Sequence, residues 1–245
     1  MDRTVARPRY VLAAVPSAVT TAGMFCGFLS LSSTLHRSYV LAAWLIAIGG
    51  VLDACDGPIA RRLGVAGRFG GELDSFADLI TFGMAPALLC YSVFFSHWGI
   101  GGLILGFLPV VATTIRLARY NLTEPGGDRT YFQGFTSTAS GCLLASFVLF
   151  THDLAQHAPV SPVAAALIAL ASVLMISGVP YMSIGAFIGG GVWKTPQGTF
   201  WIPISLVVAI FPAKALFPAL LTVMVQGPLG PRIEPVLHHV PGLRR

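Results

Sequence analysis

The sequence predicts an all-α fold: a polytopic integral membrane helical bundle with about six to eight transmembrane helices. Three observations carry this expectation. Mean hydropathy is +0.76. Of the 245 residues, 55% are hydrophobic and only 10% charged, where an ordinary soluble domain has roughly a quarter of its residues charged. Apolar runs of about 20 residues, the length that crosses a bilayer, follow one another with short polar stretches between them. No room remains for a separate soluble domain, so residues 1–245 read as one membrane domain with a catalytic core over about 16–185.

Taken in order, a basic and amphipathic leader over residues 1–10 carries Arg3, Arg7 and Arg9. Spanning segments are expected at 17–34 and 39–56, followed by a polar turn at 57–73 that contains Gly and Arg. In this reading Pro58 breaks the second helix, because proline removes a backbone donor and its ring crowds the preceding turn. Further segments are expected at 74–95, 100–118, 134–150 and 160–177. A last apolar stretch at 200–226 is interrupted by Phe211, Pro212, Ala213 and Lys214. It is either a hairpin of two helices or one kinked helix.

With eight crossings and the N-terminus inside, only Arg37 and Lys214 of the 15 Lys and Arg residues fall outside. This asymmetry orients the 57–73 turn toward the cytoplasm. Trp98, Trp193 and Trp201 take aromatic-belt positions. The formal charge of +5 is dispersed among apolar segments without an aromatic and basic platform. It fits membrane lipid headgroups and excludes a nucleic-acid partner. The four cysteines, Cys26, Cys55, Cys90 and Cys142, lie in or beside apolar runs without metal-site spacing and read as reduced core residues. The first 25 residues lack an apolar region followed by a small-residue cleavage site, so no removable signal peptide is expected.

Half of the ten acidic residues fall within residues 53–78: Asp53, Asp56, Glu72, Asp74 and Asp78. Asp53 and Asp56 are three apart and Asp74 and Asp78 four apart, so on helices each pair shares a face. An intramembrane Asp costs about 2.5 to 3.5 kcal/mol on the insertion scale, and something cationic must offset four of them. Oxygen-only ligands suit one or two hard divalent ions such as Mg²⁺, Mn²⁺ or Ca²⁺. The plainer alternative is pairing with Arg61, Arg62 and Arg68. Glu72 reads as a solvated turn residue. Arg116 and Arg119, at a helix end, are placed either to bind an acceptor's carboxylate or to serve as lipid-phosphate contacts and anchors. Tyr120 and Asn121 beside them are acceptor contacts or a helix cap.

Other chemistries find little support. His36, His97, His152 and His157 fall on the predicted outer side and His238 and His239 in the tail, so histidine catalysis is not expected, and no Gly-x-Ser-x-Gly element is present. Gly189, Gly190 and Gly191 lack the lysine of a phosphate-binding loop. A cation transporter also uses intramembrane carboxylates, but its site lies near the midplane between repeated halves, and no second half is evident.

Written in full, the window reads Asp53-x2-Asp56-Gly57-x2-Ala60-Arg61-x8-Gly70-x3-Asp74-x3-Asp78. It resembles, at every defined position, the signature of the CDP-alcohol phosphotransferase family of membrane enzymes. The run from Asp74 to Ala87, the Arg116-Leu-Ala-Arg119-Tyr120-Asn121 element and Phe25-Cys26-Gly27-Phe28 are similar to the phosphatidylserine synthase branch. Two elements depart from that branch's pattern: Pro16-Ser17-x2-Thr20 and Gly134-Phe135-Thr136-Ser137.

The resemblance implies transfer of the phosphatidyl group of CDP-diacylglycerol to L-serine, giving phosphatidylserine and CMP. Asp53, Asp56, Asp74 and Asp78 would form the metal site for Mg²⁺ or Mn²⁺, with Asp78 as the base. Thr20, Gly57, Ala60, Arg61 and Gly70 would bind the CDP-diacylglycerol, and Arg116, Arg119 and Asn121 the acceptor. A homodimer is implied, in the bacterial cytoplasmic membrane with the active site facing the cytoplasm. Glycerol 3-phosphate, inositol phosphate and choline stay open as acceptors, and an archaeal-type lipid stays open as donor.

Overall fold

The computed structural model describes residues 9–65, 67–122, 131–152, 160–182 and 212–237. Arg3, Arg7, Arg129, His157, the 189–191 glycine run, Trp193, Lys194, Trp201, His238, His239, Arg244 and Arg245 lie outside the described residues, as does the 200–211 part of the last apolar stretch.

Helix α1 (Arg9–Leu35) and helix α2 (Tyr39–Arg62) form a tight hairpin. Its turn places Arg37 in the left-handed region at φ 59°. Ser38 N–H donates to Ser33 O at 2.9 Å and Arg37 N–H to Thr34 O at 3.0 Å, the bond pattern of a Schellman cap. The same device ends α2: Gly64 has φ +64°, with Val65 N–H on Ala60 O at 3.1 Å and Gly64 N–H on Arg61 O at 3.2 Å. Here the cost-free left-handed conformation of glycine, and not Pro58, stops the helix.

The expected break at Pro58 does not occur. Proline removes one intrahelical bond, the one to the carbonyl of Ala54, and a helix supported by neighbours tolerates that loss. Pro16 in α1 and Pro109 in the later helix over Gly99–Leu122 are carried in the same way. The loop therefore shrinks from the expected 57–73 to residues 63–67. Gly57, Ala60, Arg61 and Gly70 stand on helices instead of in a turn.

Helix α3 (Arg68–Asp78) opens a rod that runs on to Phe95, 28 residues in all. Directly after Asp78 the rod widens into a π turn at Leu79–Met84, passes through α4 (Ala85–Cys90) and widens again at Tyr91–Phe95. Pro86 cannot donate to the Phe82 carbonyl, and the wider turn ahead of it makes room for its ring. Helix α5 (Gly99–Leu122) returns alongside. A side chain at Gly102 would collide with the Phe95 carbonyl oxygen, so only glycine lets this hairpin close.

The remaining described helices are α6 (Ser137–His152), α7 (Ser161–Ile176) and α8 (Pro212–Leu237). In α8 the Pro212 interruption is a helix start. A short antiparallel ladder, β1 (Tyr131–Gln133) on β2 (Pro180–Met182), joins the segments before α6 and after α7. No pattern of residues announces it. Four helical rods are long and apolar enough to cross a membrane, and α6, α7 and residues 215–228 are shorter apolar helices. The molecule is a helical membrane protein.

Helix α6 is the hub. It packs on α2, α4, α7 and α8, and Leu143, Leu144, Ala145, Ser146, Phe147 and Val148 are all buried. A helix apolar all round belongs inside a bundle. Small residues let the backbones close on one another. A Cβ on Gly141 would sit 2.8 Å from Phe82 Cα, and one on Gly50 2.8 Å from Cys142 Sγ. Gly141→Val is therefore expected to cost about 1–3 kcal/mol by overpacking, read as a lower Tm in detergent, whereas an unchanged Tm would show that the contact is slack.

All four cysteines are free, as expected, and Cys90 is buried, but Cys55 is exposed and is not a core residue.

Candidate active site

Because the 63–67 loop is short, the chain doubles back directly after α2 and brings the acidic faces of α2 and α3 together. Asp53 and Asp56 lie one turn apart toward the end of α2, and Asp74 stands two turns into α3. One carboxylate oxygen from each lies within 4.8 Å of the other two. Asp78, one turn further along, is 8% exposed, and Asp56 is 7% exposed.

Three of the four aspartates are each held by a hydroxyl from elsewhere in the chain. Thr20 on α1 donates to Asp56 Oδ2 at 2.7 Å. Thr138 on α6 donates to Asp53 Oδ2 at 3.0 Å, and Ser137 beside it donates to Asp78 Oδ2 at 2.7 Å. Arg116 on α5 stands behind Ser137, with Nη1 donating to its Oγ at 3.0 Å. The Arg116 Nε is buried and has no hydrogen-bond partner among the described residues. Thr81, pinned by a 3.3 Å bond to Gly23 O, lines the cleft with Gly23, Gly49 and Ala77. A Cβ at Gly27 or Gly49 would meet Thr81 at 2.6 Å, so these glycines set how closely α1 and α2 approach the α3 rod.

The alternative of arginine pairing finds no support. Arg61, Arg62 and Arg68 are exposed, and among the described residues it is the hydroxyls of Thr20, Thr138 and Ser137 that donate to Asp56, Asp53 and Asp78. Arg61 folds back over Gly57, its Nη1 only 3.4 Å from where a Cβ would be. A clustered set of carboxylate oxygens, held by neutral hydroxyls, has the chemistry of a hard divalent-cation site. Asp53, Asp56 and Asp74 fit such an ion.

The other expected site residues are distributed less simply. Ala60 is partly buried on α2, and Gly70 is exposed with open space around it. Asn121 is not aimed at the cluster. Its Nδ2 donates to Glu72 Oε2 at 3.3 Å and Ser75 Oγ at 3.2 Å, tying α5 to α3 on an exposed face. Glu72 is consequently a helical residue with a partner and not a turn residue, though it is exposed as expected. Arg119 donates to the carbonyl of Ile176, the last residue of α7, and so satisfies a helix C-terminus. His36, His97 and His152 sit at the turns and helix end opposite the aspartates, as expected.

Sequence reasoning missed Thr138, Thr81, Gly23 and Gly49, and it noted Ser137 only as a departure from a pattern. Their one local signal is a hydroxyl or a glycine on an apolar helix, which is common in membrane bundles without any site.

Residues 13–177 match the family model described as CDP-alcohol phosphatidyltransferase. The chain is similar to a CDP-diacylglycerol–serine O-phosphatidyltransferase of Helicobacter pylori, 32% identical over 169 residues that cover 68% of this chain and 70% of the relative. A protein of the same name from Bacillus subtilis is 36% identical over 110 residues, 45% of this chain and 62% of the relative. An archaetidylserine synthase of Methanothermobacter thermautotrophicus is 33% identical over 173 residues, covering 69% of each.

Proposed function

The chain belongs to the CDP-alcohol phosphatidyltransferase family, and from that premise we propose that it transfers the phosphatidyl group of CDP-diacylglycerol to the hydroxyl of L-serine, releasing CMP. The observation that carries the reading is the trio Asp53, Asp56 and Asp74, gathered within 4.8 Å one helical turn from a buried fourth carboxylate, Asp78. The names of the relatives from H. pylori and B. subtilis support serine as acceptor.

In this mechanism Asp53, Asp56 and Asp74 would hold one or two divalent ions, Mg²⁺ or Mn²⁺. When bound there, the ion would supply the positive charge that offsets the diphosphate and the departing CMP. Gly57 and Ala60 leave room beside α2 for the nucleotide, and Arg61, folded over Gly57, offers its guanidinium to the diphosphate. Thr20 acts on the donor site through Asp56, whose carboxylate it orients. Gly70, with open space around it, lets the donor approach the start of α3.

Asp78 accepts the proton of the serine hydroxyl, which attacks the β-phosphorus in line. The P–O bond to CMP breaks as the new P–O bond forms. Arg116 keeps its Nε donor, which has no partner among the described residues, for the carboxylate of serine. Arg119 and Asn121, each engaged elsewhere, act on the acceptor end only by holding α5 against α7 and α3.

The setting is the bacterial cytoplasmic membrane with the aspartates facing the cytoplasm, a reading supported by the distribution of basic residues. The placement of the aspartates toward one end of α2 and of the α3 rod argues against a midplane transport site.

The test is CMP release by purified protein with CDP-diacylglycerol and Mn²⁺ or Mg²⁺, with serine, glycerol 3-phosphate, inositol phosphate or choline as acceptor. Serine alone is expected to drive release. Release with another acceptor would keep the family and overturn the choice of serine. A parallel arm with an archaetidyl donor addresses the second reading, which the similarity to an archaetidylserine synthase favours. Faster transfer from that donor would reassign the lipid.

A further inference from the structure

The first turn of α6 is fixed by a series of bonds to other elements. Gly134, at φ +80°, donates its N–H to Val179 O at 2.8 Å, and a Cβ there would lie 2.5 Å from Met175 O. Phe135 N–H donates to Leu174 O at 3.1 Å, which ties the segment before α6 to the end of α7. Thr136 caps the helix, its Oγ1 accepting from Ala139 N–H at 3.2 Å. The next two residues each spend a hydroxyl on an aspartate from a different helix, Ser137 on Asp78 of α3 and Thr138 on Asp53 of α2.

The proton on Ser137 has one possible direction. A guanidinium carries donors only, so Arg116 Nη1 donates to Ser137 Oγ, and the serine hydroxyl must donate to Asp78 Oδ2. That oxygen is thereby engaged, and the same carboxylate also lies within hydrogen-bond distance of the Asp53 carboxylate, so the orientation of Asp78 is set from two sides. Ser137 itself is buried, 1% exposed.

Building on the base reading of Asp78, we infer that Ser137 is a positioning residue for the transfer: backed by Arg116, it fixes the orientation in which the Asp78 carboxylate meets the acceptor hydroxyl. The clamp that ties Gly134 and Phe135 to the end of α7 holds it in register. A base turned away from its proton loses rate without losing substrate affinity, because misplacement acts on the reacting geometry.

The experiment compares wild type, Ser137→Ala and Asp78→Asn in detergent, measuring kcat, KM for L-serine and for CDP-diacylglycerol, and Mn²⁺ affinity by calorimetry. For Ser137→Ala, kcat is expected to fall about 10- to 100-fold, with both KM values and the Mn²⁺ affinity close to wild type. Wild-type kcat in Ser137→Ala overturns the inference. A raised KM for serine at unchanged kcat also overturns it, since Ser137 would then bind the acceptor. Loss of Mn²⁺ binding overturns it by showing a structural role. An active Asp78→Asn would sink the base reading itself, whereas an inactive Asp78→Asn beside a fully active Ser137→Ala sinks only the role of Ser137.

Discussion

Asp78→Asn is expected to lower serine-dependent CMP release by about 10²- to 10⁴-fold while Mn²⁺ still binds. The substitution keeps the size of the side chain and an oxygen to accept the Ser137 hydroxyl, so the 2.7 Å bond has a counterpart in the variant. What is lost is the ability to take a proton. Asp78 stands outside the trio whose oxygens converge, so an ion held by Asp53, Asp56 and Asp74 would keep those three ligands in the variant. Calorimetry with Mn²⁺ and an assay of CMP release on one preparation separate the two functions. Retained binding with lost turnover assigns Asp78 to proton transfer. Loss of both would place Asp78 among the metal ligands and leave the base to be found elsewhere in the cleft.

The site was legible in the sequence to the extent that its chemistry is local. Asp53 with Asp56 and Asp74 with Asp78 are spaced at one helical turn, and helical geometry alone puts each pair on one face. The helices themselves were legible from hydropathy, because a bilayer demands long apolar runs. Their ends were not. Pro58 looked like a stop, yet α2 runs on to Arg62 and ends only where Gly64 supplies the left-handed cap. The loss of one backbone bond at Pro58 is too small a cost to break a helix that its neighbours support.

The hydroxyls were hidden for a different reason. Ser137 and Asp78 are 59 positions apart, and Thr138 and Asp53 are 85 apart. No periodicity links residues that meet only when α6 packs against both α2 and the α3 rod. Asn121 and Arg119 show the converse failure: their residue types suited an acceptor site, but tertiary packing gave them to Glu72, Ser75 and the end of α7.

Asp74→Asn should separate the cost of the site from its use. In metal-free protein three carboxylates crowd within 4.8 Å, and a pair of like charges 4 Å apart repels by about 1 to 4 kcal/mol between bulk water and an effective dielectric of 20. Removing one charge relieves this, so the metal-free variant is expected to have a higher Tm than metal-free wild type. With Mn²⁺ the order reverses. An ion at 100 times its Kd stabilises the folded state by about 2.7 kcal/mol, and the variant, short of one anionic ligand, forgoes most of that. Turnover should fall at least about 10³-fold, since the ion supplies most of the charge stabilisation on the transferring phosphoryl group. Chelation of wild type is expected to reproduce the loss, and added Mn²⁺ or Mg²⁺ to reverse it. Thermal unfolding with and without Mn²⁺, beside the CMP assay on the same preparation, reads all of this. A metal-free Tm below that of wild type would show that Asp74 serves packing, and a full Mn²⁺-dependent rise in the variant would remove Asp74 from the ligand set.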